Sequence, residues 1–323
     1  MSGRVVAFCL AVVFVTQTVV PAPARGYAVA ETSSGLAGGT RVPRAIDFHV
    51  HASTHEWLQG SIGPMLEVTA RYFRSEVRVR TVEEMAEEYR RWDLLGVLLA
   101  WDAETATGLP ALTNDRVAEI CEAYPEQFVG FASVDFHKPD AAEELDRAIS
   151  ELGLKGLKIH PQVQAFYPNE ERWDPIWDVC ERHHLPIVVH VGQTGLGAGV
   201  AGGSGIAYDY GRPMLMDMVA ARHPGLTVVM AHFGYPWHLE VLASAMHKTN
   251  VWVDLSGWRP KYIPPEVKRD CRGRLNERFV WGSDYPMLDP GRILDEFDEM
   301  GLEGDKLDNV LFGNAARLLG IDF

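Results

Sequence analysis

The sequence predicts a (β/α)₈ TIM-type barrel, an α/β fold in which eight parallel strands alternate with helices. After residue 45, eight short β-rich runs follow one another at 46–50, 96–101, 128–134, 154–159, 187–191, 226–231, 251–255 and 279–283. Several runs are almost continuously hydrophobic, which is typical of parallel strands buried on both faces. An open, doubly wound sheet is the alternative, but no glycine-rich phosphate turn follows the first strand.

Helix start signals lie between these predicted strands. Thr81 and Glu84 have the spacing of a capping box and predict a helix that begins there. The pair Asp289-Pro290 places an N-cap residue before a proline at the first helical position, which predicts a helix over 290–300. Together these signals support the alternation of strand and helix that a barrel requires.

The composition indicates an ordinary globular protein with a large core. The chain has 323 residues, of which 47% are hydrophobic and 23% are charged. Acidic residues number 44 against 30 basic ones, and the formal net charge is -14. This balance argues against a nucleic-acid partner. The cysteines form neither a disulfide framework nor a CxxC zinc site.

The N-terminal segment differs from the rest of the chain, and residues 1–30 are predicted to be a signal peptide. Arg4 precedes an apolar run from Val5 to Val20, and small-residue cleavage sites follow. The run is short for a membrane span, so no stable span is expected in the mature chain. Residues 31–45 are a predicted linker and 46–323 a single domain. Export is therefore favoured, and a cytoplasmic protein with a downstream start codon is the alternative.

Histidine and aspartate side chains gather at the ends of the predicted strands. They are His49 and His51 on strand 1, His190 on strand 5, His232 after strand 6 and Asp284 after strand 8. His49 and His51 are two residues apart, so their side chains point to the same face of a strand. Reacting groups of such barrels lie at the C-terminal ends of the strands. This convergence predicts a metal site, whereas the His-x-His pair alone would also suit two hydrogen-bonded histidines in a turn.

Six segments together resemble the amidohydrolase-related family, in the expected order from residue 46 to 320. They read IDFHVH, GLKGLKIHP, PIVVHVG, VVMAHFG, FVWGSDYP and LFGNAARLLG. The closest resemblance is to the branch of aromatic-acid decarboxylases, lactonases and C–C and ester hydrolases. It implies a barrel with one divalent metal ion, with zinc expected first and manganese second. It further implies that His49, His51, His190 and Asp284 are metal ligands, that His232 and Asp284 are catalytic, and that the chain forms a homodimer.

Three functions remain open on this ligand set. The first expectation is a metal-dependent hydrolase of a carboxylated, aromatic-derived small molecule, in which a metal-bound water with a pKa of about 7 attacks a carbonyl and His232 carries the proton. A glycine-rich segment over 192–205 favours this hydrolase. The runner-up is a non-oxidative decarboxylase that protonates the ring carbon as CO₂ leaves. A non-catalytic binding protein that retains the barrel is the third, although disabled relatives would be expected to lose a ligand.

Weaker candidates lie near the same strand ends. Lys158 is either a carbamylated bridge between two metal ions, or a lysine that hydrogen-bonds in a one-metal site or holds a substrate carboxylate. His160 follows it as a further substrate-binding candidate. Asp102 either orients a ligand histidine or caps the next turn.

Two loops complete the list of candidates. The segment 192–205 is either a lid and backbone cradle for an anionic group or a flexible crossover. After strand 7, Arg259 and Lys261 are candidates to bind a carboxylate or phosphate, and Trp258 is a candidate wall of an aromatic pocket. A solvated basic loop is the alternative reading of Arg259.

Overall fold

The structure, a computed structural model, describes residues 42–322. The predicted signal peptide and most of the predicted linker lie outside these residues, so both stay predictions, as does export. The strands are β1 Ala45–His51, β2 Leu94–Leu99, β3 Phe128–Phe131, β4 Leu157–Ile159, β5 Pro186–His190, β6 Thr227–Ala231, β7 Val251–Asp254 and β8 Phe279–Val280. A strand is present at each of the eight predicted runs, and the predicted (β/α)₈ fold is confirmed.

All neighbouring strands pair in parallel, in chain order from β1 to β3 and from β4 to β8. A parallel bridge between Ala132 and Leu157 joins the two groups, and a second between Val50 and Tyr285 returns from β8 to β1. The His51 N–H also donates to the Tyr285 carbonyl at 2.8 Å. These junctions close the barrel and bring the C-terminal ends of the strands to one mouth.

Helices and short turns separate the strands. In residues 42–322 the α-helices are α1 Gly63–Phe73, α2 Val82–Trp92, α3 Glu104–Thr107, α4 Asn114–Ala123, α5 Ala141–Ser150, α6 Pro161–Gln164, α7 Asp174–Arg182, α8 Pro213–Arg222, α9 His238–His247, α10 Pro265–Arg272, α11 Pro290–Asp295, α12 Asp305–Asp308 and α13 Asn314–Leu319. None of the helices in this part of the chain is long and apolar enough to cross a membrane.

The side-chain caps predicted for two helices are present. At α2, the Thr81 hydroxyl oxygen accepts from the Glu84 N–H at 3.2 Å, and the Glu84 carboxylate accepts from the Thr81 N–H at 2.8 Å. At α11, Asp289 accepts from the Arg292 N–H at 2.8 Å. The helix predicted after Asp289 is divided, however, because a 3₁₀ turn over Phe297–Met300 follows α11.

Replacing Thr81 by alanine is expected to lower the free energy of unfolding by about 1 kcal/mol, because one N–H at the start of α2 loses its acceptor. Urea denaturation of the two proteins measures the difference. Thr81→Ser keeps the hydroxyl and should retain most of the stability. An equal loss in Thr81→Ser and Thr81→Ala would show that the hydroxyl is not the source of the effect.

The barrel interior below the mouth is packed with apolar side chains. Phe48 and Phe131 meet edge to face, with ring centroids 5.6 Å apart, among buried aliphatic residues of β2, β5 and β6. A Cβ atom at Gly156 would lie 2.4 Å from the Phe131 ring, which explains a glycine just before β4. The packed interior leaves the mouth as the place where polar side chains converge.

Candidate metal centre

The predicted histidines and Asp284 meet at the C-terminal mouth of the barrel. His49 and His51 lie in β1, His190 is the last residue of β5, His232 directly follows β6 and Asp284 lies four residues after β8. His232 and Asp284 both adopt left-handed backbone conformations, with φ of 57° and 66°. Such conformations are costly for residues other than glycine and are concentrated at functional sites.

The distances between these side chains fit a shared cation. Asp284 Oδ1 lies 3.5 Å from His49 Nε2 and 3.7 Å from His51 Nε2. One ligand atom each from His49, His232 and Asp284 fall within 4.8 Å of one another. Ligand atoms at about 2.0–2.2 Å from a tetrahedral zinc ion are separated by about 3.5 Å, close to the spacing found here.

Burial keeps the imidazoles of this cluster neutral. It lowers the pKa of His49, His51 and His190 well below the ordinary value, and the charge of Lys158 acts in the same direction. Burial also lowers the pKa of His232, to about 4. Neutral imidazole is the form that binds metal ions, so the cluster is ready to accept a cation at neutral pH.

His190 and His232 make three polar contacts through their ring nitrogens, but as neutral imidazoles they have only two N–H groups to donate. His232 Nδ1 lies 3.0 Å from the Ser256 carbonyl, His232 Nε2 lies 3.1 Å from His190 Nδ1, and His190 Nε2 lies 3.2 Å from the Gln193 carbonyl. Two neutral imidazoles supply two N–H groups for these three contacts. When the two carbonyls take these N–H groups, His232 Nε2 and His190 Nδ1 face each other without a hydrogen. A bound cation or one added proton would satisfy this third contact, so the donor set fits a divalent metal ion.

Lys158 lies inside the cluster. Its Nζ is 2.9 Å from His49 Nε2, and the residue is only 1% exposed. Burial lowers the pKa of Lys158 and raises the pKa of Asp284, while the attraction between the two charges opposes both changes. The contact is a hydrogen bond between the lysine amine and the imidazole, and the roles considered for Lys158 stay predictions. Metal binding at His49 Nε2 would require Lys158 to release that nitrogen.

Sequence reasoning missed the carboxylate that contacts a predicted ligand. Asp254, at the end of β7, accepts a hydrogen bond from His49 Nδ1 at 2.8 Å. Asp102, the residue considered for this role, instead pairs with Lys138 at 2.8 Å and accepts from the Glu104 N–H at 3.3 Å. Asp102 therefore matches the capping alternative. The signal for Asp254 was present, because an acidic residue ends a buried run at the mouth of the barrel.

Two adjoining cavities open at the cluster. The inner one has a volume of about 40 Å³ and has aromatic walls that include Phe73, Trp57 and Trp101. The outer cleft has a volume of about 840 Å³. Three cluster residues line both cavities, namely His190, His232 and Asp284. A ligand that reaches these side chains would therefore meet a flat apolar wall on one side and an open cleft on the other.

The predicted substrate-binding residues are placed differently from one another. His160 lines the inner cavity and stacks on His190, with ring centroids 3.8 Å apart, and Trp258 lines the outer cleft. Arg259 also lines the cleft, but its charge is compensated by a salt bridge to Glu296. Lys261 is exposed, lies over the Tyr262 ring and is outside the described lining of either cavity. Lys158 is likewise outside both linings and is buried against the Nε2 atom of His49 that faces Asp284.

The first part of the glycine-rich segment forms a wall of the site. Gln193 N–H donates to the Tyr235 carbonyl at 2.5 Å, and Thr194 Oγ1 lies 3.3 Å from His160 Nε2. Gly192 has a φ of 82°, and a Cβ there would lie 2.3 Å from the Tyr235 carbonyl oxygen. This part of the segment is thus packed against the histidine cluster, and its predicted role as a cradle for an anionic group stays a prediction.

Fold and site together define a (β/α)₈ barrel with a candidate divalent-metal centre at its C-terminal mouth. The family model described as Amidohydrolase matches residues 46–321, and the chain belongs to the amidohydrolase family. The predicted family membership is confirmed.

Two relatives of this chain are named as decarboxylases. The gamma-resorcylate decarboxylase of Rhodococcus jostii is 29% identical over 264 residues, which cover 68% of this chain and 79% of the relative. The 2-amino-3-carboxymuconate-6-semialdehyde decarboxylase of Dictyostelium discoideum is 23% identical over 312 residues, which cover 86% of this chain and 85% of the relative. Both names are those of enzymes, which supports the prediction that this chain is an enzyme.

Solved structures resemble the barrel over most of its length. An uncharacterised TIM-barrel protein of Bordetella bronchiseptica has a TM-score of 0.71 and 23% identity, covering 85% of this chain and 98% of its own. A dihydroxybenzoic acid decarboxylase of Polaromonas sp. JS666, with bound manganese and the inhibitor 2-nitroresorcinol, has a TM-score of 0.62 and 18% identity, covering 85% and 96%. At these identities the similarity establishes the fold.

Proposed function

We propose that this protein is a metal-dependent, non-oxidative decarboxylase of an aromatic or related carboxylic acid. The observation that carries the proposal is that both relatives described above are named as decarboxylases. Neither name is that of a hydrolase, so the runner-up of the sequence analysis moves ahead of the hydrolase. The manganese and nitroresorcinol of the Polaromonas structure are consistent with a metal-dependent reaction on a hydroxylated ring.

His49, His51, His190 and Asp284 are the residues that would hold the metal ion. Their neutral imidazoles and single carboxylate suit zinc or manganese. When bound, such an ion polarises a carboxylate or phenolic oxygen of the substrate. The spacing of 3.5 to 3.7 Å between Asp284 Oδ1 and the two strand-1 histidines supports this assignment.

The reaction consumes one proton. The bond between the ring carbon and the carboxyl carbon breaks, CO₂ leaves, and a C–H bond forms at the same ring carbon. His232 is the residue proposed to deliver this proton, because it lines both cavities. Burial lowers its pKa to about 4, and an anionic substrate beside it would favour the protonated form. With Nδ1 held by the Ser256 carbonyl, the other ring nitrogen remains to transfer the proton.

The aromatic walls of the inner cavity are consistent with a flat substrate in the adjoining cleft. Trp57 stacks on His51 with ring centroids 4.5 Å apart, and Trp101 meets both rings edge on. These rings are almost fully buried, with 2% and 4% exposure for the two tryptophans. With a volume of about 40 Å³ the inner cavity has room for about one water molecule, so the substrate ring would lie in the outer cleft beside these walls.

Incubation of the metal-loaded protein with 2,6-dihydroxybenzoate and related hydroxybenzoates tests the proposal, with CO₂ release as the readout. The expected products are CO₂ and the corresponding phenol, which carries one deuterium at the ring carbon that bore the carboxyl group when the reaction runs in D₂O. Methyl esters of the same acids serve as parallel hydrolase substrates, and chelator-treated protein is the control. Ester hydrolysis without CO₂ release from any acid would contradict the decarboxylase and restore the hydrolase.

A further inference from the structure

The end of β7 carries a carboxylate and a hydroxyl that contact two of the site histidines from behind. Asp254 and Ser256 are both fully buried. Asp254 Oδ2 accepts from His49 Nδ1 at 2.8 Å. Ser256 Oγ lies 3.0 Å from both His49 Nδ1 and His232 Nδ1. One short segment therefore contacts both a predicted metal ligand and the predicted proton donor.

Asp254 and Ser256 are also fixed to each other. The Ser256 N–H donates to Asp254 Oδ1 at 2.7 Å, and the Ser256 hydroxyl donates to Asp254 Oδ2 at 2.6 Å. With His49 Nδ1, these groups give the carboxylate three donors. A fully buried carboxylate needs such donors to compensate for its lost hydration. The pair is thus a rigid unit against which the two imidazoles are held.

The contacts determine which ring nitrogen of each histidine faces the site. Because Asp254 accepts from His49 Nδ1–H, the unprotonated Nε2 of His49 faces Asp284 and Lys158. The Ser256 carbonyl lies 3.0 Å from His232 Nδ1, so His232 Nε2 faces His190. A carboxylate on the far nitrogen of a ligand histidine fixes its tautomer and raises its basicity as a ligand.

We propose that Asp254 and Ser256 are a positioning pair that couples the orientation of His49 to that of His232. Neither residue is among the described lining of the two cavities, so both act through the histidines. The inference rests on the candidate metal centre and on the proposed function. It adds that metal binding and proton delivery depend on one shared buried unit.

The test is a chelator-buffered titration of Mn²⁺ and Zn²⁺ into metal-free protein, which reports the apparent dissociation constant without an activity assay. Asp254→Asn is expected to weaken metal affinity about 10- to 100-fold. Ser256→Ala keeps the backbone carbonyl and should cause a smaller loss. In the double variant the combined loss should be less than the product of the two single losses, because both residues act on His49.

The chain offers a matched control pair away from the cavities. The Ser244 hydroxyl donates to Asp217 at 2.6 Å between α8 and α9, the same distance as in the proposed pair. Asp217→Asn and Ser244→Ala should leave metal affinity within about twofold of the wild type. If Asp254→Asn and Ser256→Ala also bind metal within about twofold of the wild type, the positioning pair is overturned. If Asp254→Asn does not fold, Ser256→Ala decides alone, with thermal unfolding compared against Ser244→Ala.

The failure of the positioning pair can be told apart from failure of the proposed function. Metal binding by the wild type, with no CO₂ released from any acid, would overturn the decarboxylase and leave the affinity comparison intact. Wild-type protein that binds no metal ion in the titration would overturn the metal centre and the positioning pair together. If the wild type binds metal and releases CO₂, and Asp254→Asn and Ser256→Ala bind metal with unchanged affinity, the positioning pair alone is overturned.

Discussion

Replacing His232 by asparagine is expected to lower kcat for CO₂ release by about 10²- to 10⁴-fold, the range of a lost general acid or base. The asparagine amide is polar and reaches the position of Nδ1, but it cannot deliver a proton to a ring carbon. Metal content should stay at the wild-type level, because the predicted ligands are intact. Steady-state kinetics and mass spectrometry of the bound metal on the same preparation measure both quantities.

The result distinguishes two roles for His232. A ligand atom of His232 lies within 4.8 Å of those of His49 and Asp284, so the histidine is also close enough to bind the ion. Loss of the metal together with activity would contradict the assignment as proton donor and make His232 a ligand. His183→Asn is the matched control, because His183 contacts Asp146 outside the described lining of both cavities.

Replacing Asp284 by asparagine is expected to weaken metal affinity by more than about 100-fold, since loss of an outer partner alone costs about 10- to 100-fold. Asp284 is the one carboxylate in the predicted ligand set, and the amide that replaces it has no negative charge. Activity should fall in parallel at limiting metal concentration. Chelator-buffered titration measures the affinity, and CO₂ release measures the activity.

Asp289→Asn provides the matched comparison for this variant. Asp289 lines the same outer cleft and caps α11, and asparagine is an equally good N-cap residue. The Asp289 variant should therefore bind metal like the wild type. Equal metal affinity in the two variants would contradict the assignment of Asp284 as a ligand.

Much of the fold could be predicted from the sequence because its strands are buried on both faces. Runs such as 187–191 and 226–231 are almost continuously apolar, so their position and parallel pairing follow from composition alone. The convergence of His49, His190 and Asp284 followed from the same barrel geometry, because strand ends share one mouth. Helix length was less predictable, as the division after α11 shows.

The partners of each site residue could not be predicted, because they depend on tertiary packing. Asp102 and Asp254 both lie at or just after strand ends, yet Asp102 reaches Lys138 and Asp254 reaches His49, which is 205 residues away in sequence. Likewise, no local signal pairs Arg259 with Glu296. A position at the end of a predicted strand indicates that a side chain lies near the mouth of the barrel. It does not predict which residue that side chain contacts.

The central claim is a metal centre built by His49, His51, His190 and Asp284, and metal content tests it most directly. Protein purified without added metal should contain about one equivalent of zinc or manganese by mass spectrometry. The double variant His190→Ala with Asp284→Ala should contain none while remaining folded by circular dichroism. Wild-type protein without bound metal, or a double variant that retains as much metal as the wild type, would contradict the account.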